Sequence, residues 1–174
     1  MRFYNHSTIP GELLKPLVKH ALQLSKINPK VIVLITRGKR GGGTAHDSLG
    51  VSSCHLSKKR PKPYPQHFIP CQGWIEVSVL RRFHSTMKKT PAEWFFEVLL
   101  HEFGHLDSYQ KDMRFLDRKP FNRKKMKWED RPSEEYANRF ALKILKNLSP
   151  GNRRKFEENA NNLDNWILEQ EKGA

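Results

Sequence analysis

The chain has 174 residues, with 32 Lys+Arg against 18 Asp+Glu and a formal net charge of +14. That length favours one domain with its own core. The 10% aromatic content argues against wholesale disorder, and two cysteines are too few for a disulfide-stapled scaffold.

The polar start, Met1–Pro10, does not read as a secretory signal. No apolar run approaches the ~20 residues of a membrane helix, so a cytoplasmic protein with no membrane partner is expected. Leu13, Leu14, Leu17, Val18, Ala21, Leu22 and Leu24 then fall at helical spacing and predict a helix over Gly11–Ile27. Pro16 suits its first turn, and Asn28-Pro29 is expected to stop it. Val31–Ile35 is an unbroken β-branched apolar run, the pattern of a buried strand. Gly38–Gly43 reads as a basic turn between strands. It lacks the Gly-Lys-Ser/Thr ending of a phosphate-binding loop, and no apolar helix follows it. Residues 46–56 read as a second strand. Ser57–Pro65 holds four basic residues and three prolines and reads as an exposed loop. From Trp74 to Leu80, Ile75, Val77 and Val79 alternate with Trp74, Glu76 and Ser78. That predicts a half-buried strand at a sheet edge.

The second half reads as helical. Thr90-Pro91-Ala92-Glu93 joins a capping box to a proline at the first helical position, opening a helix that runs to about Tyr109. Lys111–Arg131 has nine basic residues and little periodicity, so a basic exposed loop is expected at about 110–131. The next helix starts near Pro132, with Tyr136, Phe140, Ala141, Ile144 and Leu145 on its apolar stripe. Asn147–Gly151 breaks it. Ser149-Pro150 caps a last helix at about 150–170, carrying Phe156, Leu163, Trp166 and Ile167. The expected fold class is α+β in a single domain over residues 1–174. An N-terminal helix and several strand segments precede two helices that bear the site.

His101-Glu102-Phe103-Gly104-His105 lies inside the capped helix. Histidines four apart project from one helical face, so their nitrogens can share one zinc ion and leave coordination positions open. Glu102 borders that face and can take a proton from a zinc-bound water. Gly104 removes a side chain and lets another element pack closely. The alternative is a pair of satisfied histidines on a semi-polar face.

A third ligand must come from elsewhere, and no histidine follows His105. Asp107 and Asp112 are too near in sequence to wrap back, and Asp117, Glu129 and Asp130 lie in the predicted loop. Glu134 and Glu135 open the next helix, where a ligand is held rigidly. Glu134 is preferred because Asn138 shares its face and can hydrogen-bond the other ring nitrogen of a metal-bound histidine. Glu135 shares a face with Arg139 and reads as a solvated ion-pair partner. The alternative for both is acid placed at a helix N-terminus.

The two stretches His101–His105 and Glu134-Glu135-Tyr136-Ala137-Asn138-Arg139-Phe140-Ala141 together resemble the ImmA/IrrE-like zinc metallopeptidases, a gluzincin family. Its pattern is HExxH followed by Glu-x-x-Ala-Asn-x-Phe-Ala on the next helix. The resemblance implies His101, His105 and Glu134 as ligands of one Zn2+ and Glu102 as catalytic base. It also implies a compact zincin-like core: an N-terminal helix, a small mixed β-sheet, the HExxH helix and the glutamate-bearing helix. The expected function is that of a zinc-dependent endopeptidase acting on a protein or peptide substrate, such as a regulatory or DNA-associated protein. The strand at Trp74–Leu80 is expected to hold an extended substrate by strand addition. Tyr109, one turn past His105, is the candidate transition-state stabiliser, with helix-end packing as its other role.

Two further signals stand apart. Cys54, His55, His67 and Cys71 form a candidate second metal set, with buried thiols and surface histidines as the alternative. Lys58-Lys59-Arg60, Arg81-Arg82, Lys88-Lys89 and Arg123-Lys124-Lys125, with Phe121 and Trp128, suit single-stranded nucleic acid. They suit a solvated face equally well. The second function class is therefore a nucleic-acid-binding protein on a zincin-like scaffold, with little or no hydrolysis.

Overall fold

A computed structural model describes residues 1–36, 42–46, 74–79, 88–111 and 132–173. In chain order the elements are β1 (Arg2–Asn5), α1 (Gly11–Ser25), β2 (Ile32–Thr36), β3 (Gly42–His46), β4 (Trp74–Ser78), α2 (Pro91–Gln110), α3 (Pro132–Lys146) and α4 (Pro150–Lys172). The class is α+β, as the periodicity implied.

The four strands form one sheet in the order β1-β2-β4-β3. β1, β2 and β4 run parallel, and β3 is antiparallel to β4. β2 lies inside the sheet, and its first four residues are all buried. A strand covered on both faces needs such an unbroken apolar run, which is why Val31–Ile35 is so legible. β4 alternates as expected, with Ile75 and Val77 buried between half-buried neighbours.

The sheet corrects two expectations and adds a strand. β4 is not an edge strand, because it pairs with β2 on one side and β3 on the other. Alternation reports how the two faces are covered and carries no information about which strands lie alongside. On that side the edge is β3, which runs from the end of the glycine-rich segment to the first residue of the predicted 46–56 strand, whose other residues lie outside the described ones. Glycines contribute backbone to the ladder but no side-chain periodicity, so this strand is silent in a hydropathy reading. β1 also went unpredicted. It is four residues long, its outer residues are polar, and its partner β2 is supplied by tertiary structure.

α1 begins at Gly11 as expected, but Pro16 is its sixth residue, beyond the first turn. A proline there forfeits one backbone hydrogen bond. The burial of Leu14, Leu17, Val18 and Ala21 on the same helix outweighs that loss. α1 ends at Ser25, ahead of Asn28-Pro29, because Lys26 turns into the left-handed region at φ 54°.

α2 is the central helix. It packs against α1, α3, α4, β3 and β4. Ala92, Phe95, Phe96, Leu99, Leu100, Phe103 and Leu106 are all fully buried on it, and their i, i+3, i+4, i+7 spacing makes one apolar stripe that faces the core. Truncating a phenylalanine in such a position costs about 3–5 kcal/mol. The start of α2 is fixed twice. The Thr90 hydroxyl accepts from the Glu93 amide at 3.2 Å, and the Glu93 carboxylate accepts from the Thr90 amide at 2.8 Å. These are the two halves of the predicted capping box. In addition, Asp164 of α4 accepts from the Ala92 amide at 2.9 Å. Burial raises the Asp164 pKa, although hydrogen bonds from Thr90 and the Ala92 amide work against that rise. α4 opens as predicted, with Ser149 accepting from the Asn152 amide at 3.3 Å and a proline in the first turn.

His20 of α1 is 1% exposed beside Phe96, at a ring-centroid distance of 5.6 Å. Neither ring nitrogen has a hydrogen bond among the described residues. Burial pushes its pKa below the ordinary 6.5, more than the Asn152 side chain offsets, and the Lys155 charge pushes the same way. The folded chain thus keeps His20 neutral where the unfolded chain takes up a proton. Its linkage term leaves stability intact above about pH 6.5 and lowers it as the pH falls further. His20→Leu is expected to gain stability relative to the parent chain as the pH drops from 8 to 5, measured by urea unfolding. A difference that does not vary with pH would refute the assignment.

No helix among the described residues is long and apolar enough to cross a membrane. Cys54, His55, His67 and Cys71, the basic loop after Lys111, and the runs at 58–60, 81–82 and 123–125 with Phe121 and Trp128 lie outside the described residues. Of the basic runs, Lys88-Lys89 is described, and Lys89 forms an ion pair with Glu97.

Candidate metal centre

The contact between α2 and α3 is the most extensive between any two described elements, and a glycine permits it. A Cβ built on Gly104 would lie 2.9 Å from the Ala137 Cα and 3.2 Å from both the Ala137 carbonyl oxygen and the Phe140 Cβ. With glycine facing alanine, the two backbones approach closely. Tyr136 reinforces the crossing by donating its hydroxyl to Asp107 at 2.6 Å, and Lys111 donates to the same carboxylate oxygen at 2.8 Å. Asp107 is thus engaged in holding the two helices together.

This close crossing brings Glu134, in the first turn of α3, onto the two histidines of α2. His101 Nε2 and His105 Nε2 are 3.1 Å apart. One Glu134 oxygen is 3.2 Å from His101 Nε2, and the other is 3.5 Å from His105 Nε2. The rings meet nearly edge to face, with 83° between their planes. Glu134 and His105 are each 7% exposed, whereas His101 is half-buried. Among the described residues this is the one cluster of three or more potential ligand residues whose donor atoms lie together.

The triangle fits a metal ion. Donors bound tetrahedrally at 2.0–2.1 Å lie about 3.3 Å from one another, and the nitrogen–nitrogen separation and the two nitrogen–oxygen separations, which run to different oxygens of the one carboxylate, are all near that length. The donor set of two imidazoles and one carboxylate leaves a fourth position open. Asn138, one turn beyond Glu134, puts its side-chain oxygen 2.9 Å from His101 Nδ1. An amide oxygen only accepts, so Nδ1 carries the hydrogen. In the neutral ring that leaves the Nε2 lone pair aimed into the triangle.

Electrostatics agree with the geometry. Burial alone would raise the Glu134 pKa. Hydrogen bonds from His101 and His105 and the charges of both rings outweigh it, and hold the carboxyl at about 2. Burial likewise would lower His101. The hydrogen bond that His101 donates to Glu134, the charges of Glu102 and Glu134, and the Asn138 contact overcome it and leave that pKa raised. The cluster is therefore an anionic cradle that attracts a cation, whether proton or metal.

Glu102 is 4% exposed and lies beside the triangle, close enough for its charge to act on His101. Its carboxyl group packs over Gly43 of the edge strand β3, leaving no room for a side chain at that glycine. Glu135 points away and forms an exposed ion pair with Arg139, as its spacing suggested. The Tyr109 side chain, Asp112, Asp117, Glu129 and Asp130 fall outside the described residues. Sequence reasoning missed Gly43 and the Asp107–Tyr136 bridge. Gly42-Gly43 carried one usable signal, since glycine in a strand marks a close backbone approach. The bridge carried none, because it joins residues 29 positions apart. Comparison with protein-family models, with curated proteins and with solved structures gives no match, so the reading of this site stands on its residues and their geometry.

Proposed function

We propose that the chain is a zinc-dependent endopeptidase of the HExxH type, built on a zincin-like core. The observation that carries this reading is the His101–His105–Glu134 triangle with a buried glutamate next to its first histidine. Two nitrogens and one oxygen suit zinc better than calcium or magnesium, which take oxygen donors. The likeness of the two motif stretches to the ImmA/IrrE-like peptidases points the same way.

When bound, zinc supplies a Lewis acid that polarises a carbonyl and makes a neighbouring water acidic enough to ionise near neutral pH. Glu102 accepts the proton of the attacking water and later delivers it to the leaving amine. Its burial keeps that proton from bulk solvent. Asn138 holds His101 in the tautomer that presents Nε2, and the Gly104–Ala137 crossing holds Glu134 in reach of both rings. β3 replaces β4 as the strand for substrate. It is a sheet edge, it packs against α2, and an extended peptide added there would run past Glu102.

The test is metal removal. Purified chain is expected to hold one equivalent of zinc by elemental analysis and to cleave peptides from a quenched fluorogenic library. A chelator is expected to remove both, and added zinc to restore both. Full-length chain that stays metal-free in excess zinc sinks the reading. So does hydrolysis indifferent to the chelator.

A further inference from the structure

We propose that Gly43 is the positioning residue for Glu102: the missing side chain on the edge strand is what lets that carboxyl group lie where it does. The proposal rests on the reading of Glu102 as the proton acceptor.

The Glu102 side chain occupies the space at Gly43. A Cβ there would meet the Glu102 Cγ at 2.6 Å, its Oε1 at 2.7 Å and its Cδ at 2.9 Å. All three are closer than nonbonded carbon and oxygen atoms approach. Among the described residues, the three nearest atoms all belong to Glu102.

Glycine is not demanded here by the backbone. Gly43 does not adopt the positive φ that L side chains avoid, and no described non-glycine neighbour in β3 does so. The residue is also exposed, so no packed core on its far side excludes a methyl group. An alanine in an ordinary strand position is normally better tolerated than glycine. The restriction therefore comes from Glu102.

Neither the strand nor the helix can step aside easily. Gly43 is in register with Val77, which is 1% exposed on β4, and β4 is pinned in turn by β2. Glu102 stands between a metal ligand and Phe103, which is fully buried. A shift of α2 would therefore break the core or the triangle. The remaining freedom is rotation of the Glu102 side chain. Helical side chains have few allowed rotamers, so relief comes as a jump of the carboxyl group, not as a small adjustment. A proton acceptor displaced in that way falls out of hydrogen-bond reach of the water it serves.

The experiment uses full-length Gly43→Ala with zinc, assayed on the quenched fluorogenic peptide library. One equivalent of zinc is expected to remain bound, because the three ligands are untouched. kcat is expected to fall by about 100-fold or more, with KM within about threefold, since the proton-transfer contribution is lost and substrate contacts are kept. Thermal unfolding supplies the readout independent of activity. Gly43→Ala is expected to lower Tm when Glu102 is present, and to leave it unchanged or higher when combined with Glu102→Ala. Three results overturn the proposal: Gly43→Ala cleaving at the parental kcat, zinc lost together with activity, or equal Tm shifts in the two backgrounds. Parent chain that holds zinc and cleaves no peptide instead overturns the reading of Glu102 on which the proposal rests.

Discussion

Glu102→Gln is expected to keep one equivalent of zinc and to lose hydrolysis by about 10³-fold in kcat. The carboxamide has nearly the shape of the carboxylate, so it should still pack over Gly43. It cannot accept a proton, and that is the function assigned to this side chain. Glu102 is not a corner of the donor triangle, so the metal has no reason to leave. The pairing of two readouts makes the test specific. A loss of activity with loss of metal would mean that Glu102 supports the ligands. Parental activity in the variant would end its assignment as the base, whatever the metal does. Steady-state kinetics on the peptide library, alongside elemental analysis of the same sample, separates these outcomes.

Gly104→Val is expected to weaken zinc binding and to destabilise the fold together. The first added carbon alone meets the Ala137 backbone at 2.9 Å, and a backbone atom cannot rotate out of the way. Valine adds two methyl groups to that clash. Overpacking at a tight helix crossing costs about 1–3 kcal/mol. Relief requires α3 to move away from α2, and Glu134 is one turn from Ala137 on the moving helix. Its oxygens now lie 3.2 and 3.5 Å from the two histidines, so a small displacement opens the triangle. Zinc affinity is expected to fall by about 10–100-fold, the scale at which supporting contacts around a metal act. Calorimetric titration with zinc and thermal unfolding of the metal-free chain measure the two effects. Lower stability with unchanged zinc affinity would show that the crossing does not set the position of Glu134.

Much of the site was legible because its parts are local. The i, i+4 spacing of His101 and His105 places both rings on one face of any helix, and the Thr90–Glu93 capping box marks where that helix begins. The choice of Glu134 over Glu135 was also local, since Asn138 and Arg139 mark two different faces of the next helix. Asn138 does meet His101, and Arg139 does pair with Glu135. Other features were illegible for equally physical reasons. Glycine has no hydropathy signal, so Gly42-Gly43, the start of β3, read as part of a turn. Sheet order depends on contacts between distant segments, so the alternation of Trp74–Leu80 was mistaken for an edge. Pro16 was placed in a first turn because propensity is a weak prior beside the packing of an apolar face.

The sequence alone determined which residues carry donor chemistry, which helix holds the histidines, and which side of the next helix offers a carboxylate. Helical geometry repeats over a few residues, so these relations hold before any tertiary contact forms. Tertiary structure decided what brings the pieces together. The close crossing at Gly104 and Ala137, the Asp107–Tyr136 bridge and the edge strand beneath Glu102 all join segments far apart in the chain. No local pattern records such contacts, because their energy arises only when the two surfaces meet.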